Sequence, residues 1–114
     1  MAARGDVLAL RRGIGFLPGE RLEAFVVVQS DRLSHSLETV IVVPLDRSVP
    51  EYAGIPGVVP LAPTEPGDWK TKVAVVPHLT SLPLERFAPE RIGRLRPGTL
   101  ARMGRVIRLA MDLE

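Results

Sequence analysis

The apolar positions of this chain gather in short runs rather than long stripes. Glu23-Ala-Phe-Val-Val-Val-Gln-Ser30 is dominated by β-branched and aromatic side chains, the composition of a central strand. Glu38-Thr-Val-Ile-Val-Val-Pro-Leu45 has the same character. Between them Asp31–Ser36 supplies turn formers, so these two strands are expected to run antiparallel. Pro44 has no amide hydrogen and belongs at an edge, a bulge or a strand end. Upstream, Asp6–Arg11 sets Val7 and Ala9 against Leu8 and Leu10, apolar on both faces, as in a short buried strand. Gly57–Leu61 and Lys70–Val76 predict two further strands, the second closed by Pro77.

The connections are marked by glycine and proline. Arg12–Arg21 (RGIGFLPGER) reads as a long loop, of the kind that often carries function, and its Ile14, Phe16 and Leu17 need cover. Arg47–Pro56 and Ala62–Asp68 also read as loop and turn. Leu82–Phe87 predicts one helical turn with Pro83 at its start, and Ile92–Leu95 a short strand or connector. From Arg96-Pro-Gly-Thr99 a helix is expected to run to about Asp112, with Gly98 or Thr99 as cap. Leu100, Met103, Ile107 and Ala110 recur at spacings of three and four and form its core stripe, which Val106 and Leu113 widen. Arg102, Arg105 and Arg108 project elsewhere. The expectation is one domain over residues 1–114, mainly β, with four to five strands and one C-terminal helix laid on the sheet.

Composition narrows the chemistry. With 114 residues, 46% of them hydrophobic and 25% charged, the chain has the make-up of a globular protein rather than a disordered one. Cysteine is absent, which removes disulfides and thiolate metal sites and points to a reducing cytoplasm. Two well-separated histidines make a zinc site an unlikely design, and no metal or cofactor is expected. The opening residues carry no signal-peptide core, and no apolar run approaches the roughly 20 residues of a membrane helix. Net charge is only +2, yet seven arginines stand between Glu85 and the C-terminus, against Glu85, Glu90, Asp112 and Glu114. That excess reads either as a surface for nucleic acid or an acidic partner, or as a solvated helix face. There is no G-x-S-x-G, and Arg12-Gly-Ile-Gly-Phe16 lacks the remainder of a phosphate loop.

The order of these segments resembles the MazF/PemK–CcdB superfamily of bacterial toxins. Arg4-Gly-Asp-Val7 resembles the R-G-[DE]-[VI] that opens their first strand, and Phe25-Val-Val-Val-Gln-Ser-Asp31 their valine-rich second strand. Thr39-Val-Ile-Val-Val-Pro-Leu45 is similar to T-V-I-V-x-P-[LIV], and Ile92-Gly-Arg-Leu95 with Leu100–Leu113 to the final I-G-x-[LV] and amphipathic helix. The resemblance implies a small SH3-like antiparallel β-barrel of CcdB/PemK type with a C-terminal helix. It also implies a homodimer and a cognate antitoxin whose disordered tail wraps the toxin. MazF-like members cleave single-stranded RNA without metal, leaving a 2′,3′-cyclic phosphate. CcdB-like members poison DNA gyrase instead, but end in a Trp-Gly-hydrophobic tail, whereas this chain ends Met111-Asp-Leu-Glu114. A degenerate toxin that keeps only its binding functions is a third alternative.

The same alignment shows departures at the chemistry. The family's second-strand arginine falls on Glu23, and its threonine after the third strand falls on Asp46. The segment often written [CD]-D-Q-[IV]-[RK]-[TS]-[IL] aligns with Val76-Pro-His-Leu-Thr-Ser-Leu82. A relocated site is therefore the expectation. Arg21 would set a guanidinium near the phosphate, His78 would act as acid or base, and Glu23 or Asp46 would orient it. Arg4, Arg12, Ser48, Trp69, Thr80 and Ser81 are candidate substrate contacts. Two of the candidates have a plain alternative: His78 beside Pro77 suits a turn, and Trp69 suits core packing. His35, in a Ser-His-Ser turn, reads as exposed.

Overall fold

The valine-rich runs form the middle of one sheet. In the computed structural model, residues 2–11, 24–48, 50–67 and 71–112 are described. Strand β2 (Ala24–Val27) lies antiparallel to β3 (Thr39–Asp46), with Val26 opposite Val43 and Val27 opposite Val42. On the other side of β2 runs β1 (Asp6–Ala9), and outside β1 the two-residue β7 (Gly93–Arg94). The far edge of β3 receives β5 (Val73–Val75) and β6 (Thr80–Pro83), and β4 (Val58–Pro60) pairs outside β5. The described residues thus form a seven-stranded antiparallel sheet, against an expected four to five strands. β7 falls in the segment expected as a short strand or connector, and β6 runs into the start of the expected helical turn. Both are held by backbone pairing more than by apolar side chains, with only Leu82 of β6 packed against a core cluster.

Two strands share one edge of β3 because the chain breaks between them. β5 faces Leu45 and Asp46, β6 faces Thr39 to Val42, and the register shifts by three residues across the 3-10 turn Val76–His78. Val43 and Pro44 fall at the gap between these ladders. Pro44, with no amide hydrogen to donate, is tolerated inside a central strand because its position coincides with that break.

Alternating side chains bury both faces of the sheet, which accounts for the near-continuous apolar runs. Val7, Val26, Val43, Leu45, Val59 and Ala74 face helix α2 (Pro97–Ala110), whose Met103 is fully buried among them. Leu100, Val106 and Ile107 complete this contact, as the periodicity predicts, whereas Ala110 is exposed and not part of the stripe. Leu8, Phe25, Val27, Val40, Val42 and Phe87 form a second core on the opposite face. There the rings of Phe25 and Phe87 meet edge to face with centroids 5.7 Å apart.

The segment between β2 and β3 is a one-turn helix, α1 (Asp31–Ser34), not only a turn. The Ser30 hydroxyl caps it by accepting the Arg32 amide. Beside it Gln29, 2% exposed, takes over where the β2–β3 ladder ends. Its Oε1 accepts the Ile41 amide at 3.3 Å, and its Nε2 donates to the Thr39 carbonyl at 3.2 Å.

The sheet then curls toward closure. After β6 the chain crosses to the outer edge of β1, where Leu10 bridges Phe87 and the Ile92 amide donates to the Val7 carbonyl at 2.8 Å. From the β4 end, the 61–67 loop reaches the same region, and the Arg94 amide donates to the Glu65 carbonyl at 2.9 Å. The Glu65 side chain, 1% exposed, accepts from the Ala62 amide (2.7 Å), the Arg96 amide (2.7 Å) and the Thr99 hydroxyl (3.0 Å). It therefore occupies the start of α2, where backbone N–H groups point outward and negative charge is favoured. This corrects the expected cap: Arg96, not Gly98 or Thr99, precedes the helix, with Pro97 in its first turn, and Glu65 holds the Arg96 amide and the Thr99 hydroxyl.

Candidate functional site

The sequence candidates do not all converge. Arg12, Arg21, Glu23 and Trp69 lie outside the described residues. Of the rest, Asp46 ends β3, and Thr80 lies opposite Val42 on β6. Directly paired residues of neighbouring strands point to the same face, and residues two apart on one strand do so too. Val42 belongs to the core on the side away from α2, so Thr80, Pro44 and Asp46 share that side. Ser81 lies opposite Ile41, which packs toward α2, and so projects to the other face. Exposed Ser48 follows Asp46 by two residues, and exposed His78 lies at the break facing the Val43–Pro44 step. One edge of β3 thus carries Thr80 and the turn that holds His78, while Asp46 ends the strand and Ser48 follows it.

Arg4 sits elsewhere, beyond the opposite end of β3. Its amide donates to Asp31 at 2.8 Å, its guanidinium reaches the Val28 carbonyl at 3.5 Å, and it packs beside Gly104 of α2. That placement ties the first strand to α1 and the helix.

The geometry around Asp46 includes a residue the sequence reading passed over. Asp46 Oδ1 accepts the Arg47 amide at 2.7 Å, and Oδ2 accepts the hydroxyl of Tyr52 at 2.9 Å. Tyr52 closes a 3-10 turn, Pro50–Tyr52, in the loop after β3. It is the single tyrosine of the chain, and its six-residue separation from Asp46 follows no periodic pattern that would have pointed to the pair.

The C-terminal arginines are not one patch. Arg91 and Arg94 both bond Asp6, and Arg96 reaches the Thr64 hydroxyl at 3.3 Å. Burial would raise the Asp6 pKa. The Ala3 amide and the two guanidiniums outweigh it and hold the carboxyl below its ordinary range. Arg102, Arg105 and Arg108 remain exposed along α2.

A groove of about 1050 Å³ opens on the face away from α2, floored by Leu8, Leu84 and Phe87 and bordered by Arg11 and Arg91. Glu38, Glu85 and Asp6 also line it, so its charge is mixed, and none of the sequence candidates among the described residues lines it. Size alone does not make it the reactive site: Asp46, His78 and Thr80 carry the proton-transfer and hydroxyl groups, and they lie along β3 outside it. Among the described residues no group of three or more His, Asp or Glu is placed to hold a metal ion. No helix among them is long and apolar enough to cross a membrane.

The architecture is a small β domain: a curled antiparallel sheet with a C-terminal helix laid on one face. The sequence profile of the PemK-like, MazF-like toxins of type II toxin–antitoxin systems matches residues 7–111, and the chain belongs to that family. Solved structures agree on the fold. An endoribonuclease from a mycobacterial species, in complex with its cognate antitoxin, superposes with a TM-score of 0.79 at 18% identity, covering 100% of this chain and 98% of that one. The Mycobacterium tuberculosis toxin MazF-mt6 gives 0.75 at 16% identity, covering 96% and 98%. A chain of a MazE–MazF structure from Deinococcus radiodurans gives 0.75 at 16%, covering 99% and 97%. No curated protein sequence matches significantly. These matches favour the MazF side over the gyrase-directed alternative.

Proposed function

We propose that this toxin is an endoribonuclease that cleaves single-stranded RNA by internal transesterification, without a metal ion. The observation that carries the reading is the position of Asp46. A carboxylate at the end of β3, on the same face as Thr80 and held by two donors, stands where the resemblance expects a catalytic threonine. In the proposed reaction the RNA 2′-oxygen attacks the adjacent phosphorus and the bond from phosphorus to the 5′-oxygen breaks. Asp46 takes the 2′-proton, and His78 gives a proton to the departing 5′-oxygen. Arg21 is the candidate for stabilising charge on the phosphorane, with Glu23 orienting the neighbouring groups.

Ser48 and Thr80 offer hydroxyls to the RNA along the same edge, and Arg12 and Trp69 are candidates for phosphate and base contacts. Arg4 and Ser81 are left out of this contact set because of their placement. The protein acts in the cytoplasm as a homodimer and is held inactive by a cognate antitoxin. Incubating the purified protein with long single-stranded RNA in EDTA tests the activity. Fragmentation of the RNA supports it, and intact RNA beside folded protein overturns it.

A further inference from the structure

Asp46 does not simply end a strand. Each of its carboxylate oxygens is engaged from the turn that follows: Oδ1 by the Arg47 amide and Oδ2 by the Tyr52 hydroxyl. The turn itself is closed by backbone hydrogen bonds, from the Ala53 amide to the Pro50 carbonyl at 3.1 Å and from the Ile55 amide to the Tyr52 carbonyl at 3.2 Å. Proline fixes the backbone where the turn begins. Tyr52 is therefore presented to Asp46 by a short, locked segment, and its ring is only half-buried.

We infer that Tyr52 is a positioning residue for the RNA-cleaving chemistry of Asp46. The inference rests on the endoribonuclease reading above. Donation from a phenol to an ionised carboxylate is a charge-assisted bond that fixes the acceptor's orientation. It also favours the ionised form, the one that accepts the 2′-proton. Charged or titratable groups near Asp46 among the described residues include Arg47, Glu51 of the turn, His78 of the turn between β5 and β6, and Lys72, whose amide donates to the Asp46 carbonyl at 2.9 Å. The hydroxyl of Tyr52 bonds the carboxylate directly.

The test uses the full chain and a long single-stranded RNA, with wild type, Tyr52→Phe, Asp46→Asn and the double variant. Tyr52→Phe is expected to lower kcat about tenfold while KM changes less than about twofold, and to move the acidic limb of the kcat/KM profile to higher pH. In the Asp46→Asn background the same change should add no further loss, because the ionisable base that Tyr52 orients has already gone. A carboxylate-detected NMR titration should show the Asp46 pKa rising in Tyr52→Phe, a readout that needs no RNA. An active wild type with unchanged rate and acidic limb in Tyr52→Phe would overturn the inference. So would an equal loss in both backgrounds, the mark of a purely structural role. An inactive, folded wild type overturns the parent reading instead, and the inference with it.

Discussion

Glu65 reaches across 31 residues of sequence to accept the Arg96 amide at 2.7 Å, and so ties the loop after β4 to the start of α2. The same carboxylate also takes the Ala62 amide and the Thr99 hydroxyl. Three partly buried donors share one buried acceptor group, so removing it takes a partner from all of them. Glu65→Ala is expected to destabilise the fold by about 3 kcal/mol, above a simple cap loss of about 1 kcal/mol. Glu65→Gln keeps one acceptor oxygen and should fall about midway. Chemical denaturation midpoints at constant slope measure both.

The backbones of the same loop and β7 touch directly. A Cβ on Gly93 would lie 2.2 Å from the Glu65 carbonyl oxygen and 2.8 Å from the Gly67 nitrogen, and neither backbone atom can move aside cheaply. Gly67, at φ +72, is in the left-handed region that glycine alone occupies readily. Gly93→Ala should therefore cost about 3 kcal/mol or more. Gly98→Ala, where nothing lies within 4 Å, should cost far less. Paired thermal melts compare the two.

Asp6 sets the response to acid. Its folded pKa lies below the ordinary 3.8, so the folded state binds this proton less readily than the unfolded chain. Its contribution is fully present above the unfolded value and is lost as pH falls through the folded one. Stability should decline below about pH 4, and Asp6→Asn should flatten that decline while lowering stability near neutrality. Urea midpoints taken across the acid range check it.

Much of the fold is legible in the sequence because it is written in side chains. Phe25–Val28 and Val40–Val43 are apolar on both faces and lie in a sheet covered on both sides. The Leu100–Met103–Ile107 spacing likewise marks the helix face that meets the sheet. β6 and β7 were less visible, since Thr80-Ser81 and Gly93-Arg94 pair through backbone groups that any residue supplies. The Glu65 cap was hidden in an apparent Pro-Gly turn, because its partners are distant in sequence. At the candidate site, the resemblance located Asp46 but could not place Tyr52, whose role depends on how the loop after β3 folds back.

The proposed roles make graded expectations for activity. Asp46→Asn and His78→Ala should each reduce RNA cleavage by about 10²-fold or more, as expected for acid–base groups, and Arg21→Ala by a similar factor for a charge-stabilising one. Thr80→Ala, a contact rather than a proton carrier, should lose about tenfold, and Ser81→Ala on the opposite face should lose little. Single-turnover rates on one RNA substrate, with circular dichroism confirming the fold, would separate these outcomes.

The central claim is the chemistry itself, and the termini of the RNA fragments report it most directly. Mass spectrometry of products formed in EDTA should find a 2′,3′-cyclic phosphate on the upstream fragment and a 5′-hydroxyl on the downstream one. Intact RNA beside folded wild-type protein would contradict the account, as would fragments carrying 5′-phosphates.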